Sequence, residues 1–136
     1  MSLMKILALD LGDVWTGTAL SDASKMFARP FETVKTDELK TFLETTFKEE
    51  KIDTVVVGHP QTLKGTESAQ TKKIVTEKEE LEKAYPEKKW ILWDERYTSQ
   101  HAKDIQGKKG DKQKVHSIAA ALILETYLIH LGNSFA

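Results

Sequence analysis

Lys5-Ile6-Leu7-Ala8-Leu9-Asp10-Leu11-Gly12-Asp13-Val14-Trp15-Thr16-Gly17-Thr18-Ala19-Leu20 is the stretch that decides the fold class. Residues 5–10 alternate, with Ile6, Ala8 and Asp10 on one face of a strand and Leu7 and Leu9 on the other. Leu11-Gly12-Asp13-Val14 reads as a tight turn in which the glycine supplies freedom at positive φ. Residues 15–20 are then a second strand, and so short a turn makes it antiparallel to the first. A third strand is expected at 26–28 or at 31–34. The opening is a meander and not a βαβ unit.

Downstream, helices alternate with strands. Thr36 followed by Asp37 and Glu38 predicts a helix start: a capping hydroxyl, then acids at the positive end of the dipole. Leu39, Phe42, Leu43 and Phe47 keep helical spacing and give a helix over 37–50. Residues 52–57 are an apolar run ending at Gly58-His59-Pro60, which reads as a strand buried on both faces of a parallel sheet. Residues 65–84 read as a polar helix whose charges nearly cancel, the pattern of a solvated face. Trp90-Ile91-Leu92-Trp93 is another buried strand, running into Asp94-Glu95-Arg96. A short helix is expected after Thr98, then a loop rich in Lys and Gly. A last helix, over 114–131, carries Ile118, Ala119, Leu122, Ile123, Tyr127 and Leu128. The order β-β-β-α-β-α-β-α makes an α/β fold, a mixed five-stranded sheet flanked by helices.

Composition sets the bounds. The chain has 136 residues, 40% hydrophobic and 30% charged, enough for one compact domain with a real core. Lys+Arg is 20 and Asp+Glu is 21, a net charge of −1, so attraction to a polyanion has to come from local clusters. The absence of cysteine excludes disulfide scaffolds, Cys-type zinc sites and a thiol nucleophile. No apolar run approaches the roughly 20 residues that cross a bilayer, and Met1-Ser2-Leu3-Met4-Lys5 lacks the regions of a signal peptide. A soluble cytoplasmic domain over 4–131 is expected, with no membrane partner. Residues 1–3 are extraneous to that domain, and 132–136 are a C-terminal tail.

Polar residues gather at the strand ends, where open α/β sheets bind ligands. Asp10 ends the first strand. An acid in an apolar strand costs several kcal/mol unless it is hydrogen-bonded, ion-paired or on a metal, although it could simply cap the turn. Asp94 and Glu95 end the last strand and cannot both face one side unless the strand has stopped, so one is free to serve a site while the other pairs with Arg96 or caps the next helix. By themselves they read as a strand-to-helix turn with Thr98 as N-cap. His59 reads as a surface loop histidine. His116, one turn before Ala119 and Ala120, sits where small residues let a helix approach a sheet; its plain reading is a half-buried imidazole bonded to backbone. Lys103, Lys108, Lys109, Lys112 and Lys114 face only Asp104 and Asp111. This local excess suits a phosphate backbone, and a solvated lysine loop is its ordinary explanation.

Four blocks occur in order: Asp10-Leu11-Gly12 with Gly17-Thr18-Ala19-Leu20-Ser21-Asp22; Val55-Val56-Val57-Gly58-His59-Pro60 with Gly65-Thr66-Glu67; Asp94-Glu95-Arg96-Tyr97-Thr98-Ser99; and Lys114-Val115-His116-Ser117-Ile118-Ala119-Ala120 with Ile123-Leu124-Glu125-Thr126-Tyr127-Leu128. Over residues 4–131 they closely resemble the YqgF (RuvX) family. The resemblance implies a ribonuclease H-like fold, kinship with Holliday-junction resolvases and a nuclease that matures the 5′ end of 16S ribosomal RNA. It carries catalytic and metal-holding roles onto Asp10 and Glu95, with His116 at the position of the family's third acid. It implies a divalent cation, Mg²⁺ or Mn²⁺. For a partner it implies structured RNA (pre-16S rRNA) or, as an alternative, branched DNA, met by Arg96, Thr98, Lys108, Lys109, Lys112 and Lys114. The chain departs from the family pattern twice: His116 replaces an Asp, and Val14-Trp15 stand where a Lys-Arg pair is usual.

Metal-assisted phosphodiester hydrolysis would follow from such a site. If one strand separates those of Asp10 and Glu95, their backbones lie about 9–10 Å apart, a span two carboxylates can bridge through metal. A histidine ligand shifts preference from Mg²⁺ toward Mn²⁺. The alternatives are a non-catalytic nucleic-acid-binding member with a degenerate metal site, and an actin-like phosphotransferase, which needs two such domains. No exposed apolar stripe is visible in the sequence to decide between monomer and dimer.

Overall fold

The computed structural model describes residues 4–59, 69–94 and 112–133. Strands β1 (Lys5–Asp10), β2 (Trp15–Ser21) and β3 (Ala28–Lys35) come first. A 3₁₀ turn (Thr36–Glu38) leads into helix α1 (Leu39–Glu49). Strand β4 (Ile52–His59), helix α2 (Ala69–Ala84), strand β5 (Lys89–Asp94) and helix α3 (Lys112–Asn133) follow. The sheet order is β3-β2-β1-β4-β5. β1 is antiparallel to β2 and parallel to β4, and β4 is parallel to β5. This is the mixed five-stranded sheet read from the sequence, with β4 as the single strand between β1 and β5.

The alternation of β1 builds two cores. Leu7 and Leu9, with Leu20, Val55 and Val57, pack under Leu39 and Leu43 of α1 and Ile74 and Leu81 of α2. Ile6 and Ala8, with Ala19 and Val56, pack under Ala120, Ile123, Leu124, Tyr127 and Leu128 of α3. Helix α3 lies across β1, β2 and β3. Ala8, Ala19 and Ala28 on its face of the sheet are small, which lets the helix come close.

Several expectations change in detail. The third strand joins the two alternatives into one, and its Pro30 is tolerated because β3 is an edge strand. A register shift against β2 is held by Thr18, whose hydroxyl donates to the carbonyl of Glu32 (2.6 Å) and accepts from its N–H (2.8 Å). β4 is buried on both faces as expected, but β5 is the other edge, and Trp90 alone in it is fully buried. Helix α2 is not purely solvated: Thr71, Ile74 and Leu81 face the core. Gly12 is not at positive φ; a Cβ there would meet the Trp15 carbonyl oxygen at 2.3 Å, so tight closure of the turn selects glycine. Thr36 caps no helix, for reasons given below. The short helix expected after Thr98 falls outside the described residues.

Val115–Gly132 within α3 is long and apolar enough to cross a membrane by length and composition, with a mean hydropathy of 1.4. Its Ala120, Ile123, Leu124, Tyr127 and Leu128 are instead buried against the sheet. The exposed side chains Met26, Phe27 and Ile129 surround one groove of about 740 Å³ between the β2–β3 loop and the end of α3. An exposed apolar patch therefore exists that the sequence did not reveal, because its two halves lie about a hundred residues apart.

Candidate active site

Asp10 is the last residue of β1, half-buried, directly opposite Gly17 on β2. Its place in the alternation puts its side chain with Ile6 and Ala8, on the face that α3 covers. On the other side of β1 the register runs Leu9 to Val57 to Leu92, and the next row of the last pair is Gly58 to Trp93. Asp10 thus sits at the C-terminal rim beside Gly58, one strand from β5. Two inter-strand steps separate β1 from β5 by about 9–10 Å; Glu95, to which the expected span referred, lies outside the described residues.

The turn after Asp10 is fastened from outside. The Thr36 hydroxyl donates to the Gly12 carbonyl at 2.6 Å, and the Thr36 N–H donates to the Val14 carbonyl at 2.8 Å. The Thr16 and Thr36 hydroxyls meet at 2.9 Å. Thr36 is thereby the clamp of the β1–β2 turn, not an N-cap. Lys73 of α2 reaches the same turn, its ammonium 2.9 Å from Asp13. That carboxylate holds the Lys73 ammonium protonated above its usual range, first by the hydrogen bond and then by charge.

The second turn of α3 closes the other side. A Cβ built on Gly17 would lie 1.9 Å from the carbonyl oxygen of His116, 2.2 Å from its carbonyl carbon and 2.8 Å from the Ser117 nitrogen. The backbone at His116 therefore rests on the bare Cα of Gly17, which is itself the register partner of Asp10. His116 is half-buried there.

Asp94 and His59 are register partners on β5 and β4. Alternation sets both with Leu92 and Val57, on the face opposite Asp10. His59 is buried in β4, so it is not a surface loop histidine; the strand runs two residues further than its apolar run. Glu95, Arg96, Thr98, Lys108 and Lys109 lie outside the described residues. Lys112 and Lys114 belong to the first turns of α3.

Among the described residues no three His, Asp or Glu side chains gather at metal-holding distance. The donor types nonetheless suit a divalent ion: a carboxylate on Asp10 and an imidazole on His116, whose backbone a single glycine contact seats against the register partner of Asp10. Gly17 and Thr36 were missed as parts of the site. A glycine inside an otherwise β-branched and apolar strand was the available signal, since it marks close approach of another backbone.

Comparison with known proteins agrees with this architecture. The family model described as RuvX, Holliday junction resolvase, matches residues 4–130. A protein of Rubrobacter xylanophilus that carries the name pre-16S rRNA nuclease is 38% identical over 130 residues, covering 91% of each chain. One of Christiangramia forsetii with the same name is 41% identical over 131 residues, covering 91% of this chain and 97% of its own. Among solved structures, Thermus thermophilus RuvC in complex with a Holliday junction superposes with a TM-score of 0.59 at 15% identity, over 95% of this chain and 96% of that one. Fowlpox virus resolvase with junction DNA gives 0.54 at 14% identity, over 94% and 99%.

Proposed function

The chain belongs to the RuvX family, and from that premise we propose that it is a divalent-metal-dependent nuclease that hydrolyses phosphodiester bonds while the 5′ end of 16S ribosomal RNA matures. The observation that carries the reading is the convergence at one rim: Asp10 ends the central strand on the face of α3, and His116 is seated one backbone contact away on Gly17.

In this reading residues 4–131 act as one domain of the cytoplasm. Asp10, Glu95 and His116 are the residues that would hold the cation, Mg²⁺ or Mn²⁺. Such an ion, when bound, supplies Lewis-acid polarisation of a phosphoryl oxygen and lowers the pKa of its water. The chain's own contribution is position. Asp10 is anchored by a buried strand below and a clamped turn above, so its backbone is held in place before substrate arrives. Arg96, Thr98, Lys108, Lys109, Lys112 and Lys114 would meet the phosphate backbone, a role that sets affinity and register without reading sequence.

The test is cleavage of an RNA carrying the immature 16S 5′ end, with Mg²⁺ or Mn²⁺, by wild type and Asp10→Asn. Wild type should cut and the variant should lose on the order of a hundredfold or more in rate. Equal cleavage by both proteins overturns the role of Asp10. The family description names a Holliday junction resolvase, so a four-way DNA junction is the comparison substrate. Preference for the junction would transfer the substrate to branched DNA and leave the role of Asp10 intact.

A further inference from the structure

We propose that Gly17 is a positioning residue of the active rim: the space left by its missing side chain fixes where the second turn of α3, and with it His116, stands relative to Asp10. The inference rests on the catalytic reading of Asp10 and His116 given above.

Three observations carry it. First, the contact is backbone on backbone. Any side chain at residue 17 would run into the His116 carbonyl group and the Ser117 nitrogen, and neither can turn aside as a flexible side chain can. Second, Gly17 is the antiparallel partner of Asp10, so the strand that carries the carboxylate and the helix that carries the imidazole are both referenced to one Cα. Third, neither a left-handed backbone nor strand propensity calls for a glycine here, since glycine is unfavourable within a strand. Residue 17 flanks the register shift against β3, but that shift is held by the Thr18 hydroxyl. Gly132, at the other end of α3, is the contrast: a Cβ there meets nothing within 4 Å.

The small residues Ala8, Ala19 and Ala120 continue the same close approach toward the middle of the helix. They set the distance between α3 and the sheet, whereas Gly17 alone sets it at the rim. A Cβ at residue 17 would lift the start of the helix through its second turn while those alanines hold the remainder, and His116 would move away from Asp10 with the fold retained.

The experiment is a double-mutant cycle on the full chain, with the pre-16S RNA substrate and Mn²⁺, using Gly17→Ala, His116→Ala and the pair, and Gly132→Ala as control. Far-UV circular dichroism and thermal melts check that each variant folds. Gly17→Ala should lower kcat by on the order of tenfold to a hundredfold with KM within about twofold, because the loss is one of reacting-group placement. In the His116→Ala background the same substitution should cost almost nothing further, since residue 17 acts through residue 116. Gly132→Ala should match wild type.

An equal loss from Gly17→Ala in both backgrounds would make the glycine merely structural and overturn the inference, with the catalytic reading untouched. A His116→Ala protein as fast as wild type would overturn both, and is recognised by that single variant. If Gly17→Ala does not fold, Ala120→Val lifts the same helix one turn further along. Its kcat loss must also vanish in the His116→Ala background, or the inference fails.

Discussion

The Thr36 hydroxyl donates to the Gly12 carbonyl oxygen across 2.6 Å, tying the start of the first 3₁₀ turn to the loop that leaves Asp10. A hydroxyl has one proton to give, so at their 2.9 Å contact it is Thr16 that donates to Thr36. The Thr36 N–H closes the same loop on the Val14 carbonyl. Three bonds through one residue therefore hold the turn that follows Asp10, the carboxylate proposed as catalytic.

Thr36→Val keeps the shape and removes both hydroxyl bonds. A cost of about 1–3 kcal/mol is expected from the polar partners left unsatisfied. Urea denaturation should show it as a lower midpoint at unchanged slope. RNA cleavage should fall through kcat with KM nearly constant. A variant as stable and as fast as wild type would mean that the turn holds itself.

Lys73 and Asp13 meet at 2.9 Å with 64% and 71% of their side chains exposed. Solvent screening leaves such a pair worth about 0–1 kcal/mol, so Lys73→Ala should hardly move the melting temperature. Its effect belongs to substrate binding. The ammonium is held on Asp13, the residue that precedes Val14 and Trp15, where the family pattern has a basic pair. Lys73→Ala should weaken RNA binding and lower the salt slope by about 0.7–0.9, the signature of one phosphate contact. Asp13→Asn should tighten binding by freeing the lysine. Affinity measured across a salt titration reads both, and unchanged slopes would remove Lys73 from the interface.

The meander and its faces were legible because strand alternation is local: Ile6, Ala8 and Asp10 against Leu7 and Leu9 follow from pleat alone. The place of Asp10 at the end of the central strand was legible from that same alternation, whereas a role for His116 came only from the family resemblance. The Thr36 clamp was not legible, since a Thr-Asp-Glu helix start is the stronger local signal and only the return of β3 beside the turn redirects the hydroxyl. Nor was the contact between Gly17 and His116, which depends on how closely a helix about a hundred residues later settles on β2. The buried position of His59 depends on β5 extending far enough to pair it with Asp94.

Acid stability should depend on Asp22. Its carboxylate accepts from the Ser24 hydroxyl and from the Phe27 and Met26 N–H groups, each backbone bond 2.9 Å, and these hold its pKa down from 3.8 to about 2. The unfolded chain takes up the proton near its ordinary value, the folded chain only lower. The stabilisation is therefore complete above about pH 4 and drains away as pH falls toward about 2. Asp22→Asn should be less stable than wild type near neutrality, and the gap should narrow between those values. Urea midpoints measured from about pH 6 down to about pH 2 test this; a constant gap would show that the loop bonds do not depend on charge.

His116→Asp restores the acid that the family pattern carries at the head of α3. Mg²⁺ binds oxygen and holds its octahedral geometry, whereas an imidazole suits Mn²⁺ and later ions of the series better. With His116 among the ligands, wild type should cleave faster with Mn²⁺ than with Mg²⁺. The substitution exchanges a nitrogen donor for an oxygen on the same backbone, which Gly17 holds in place in both proteins. Mg²⁺-supported cleavage should therefore rise relative to Mn²⁺-supported cleavage, with both metals titrated to saturation and both rates abolished by chelation. The ratio of rates is the informative quantity, because a change in folding scales both metals alike while a change of ligand does not. A ratio identical in the two proteins would place the residue 116 side chain outside the metal's reach, and the imidazole would then act on the phosphate or only pack against the sheet.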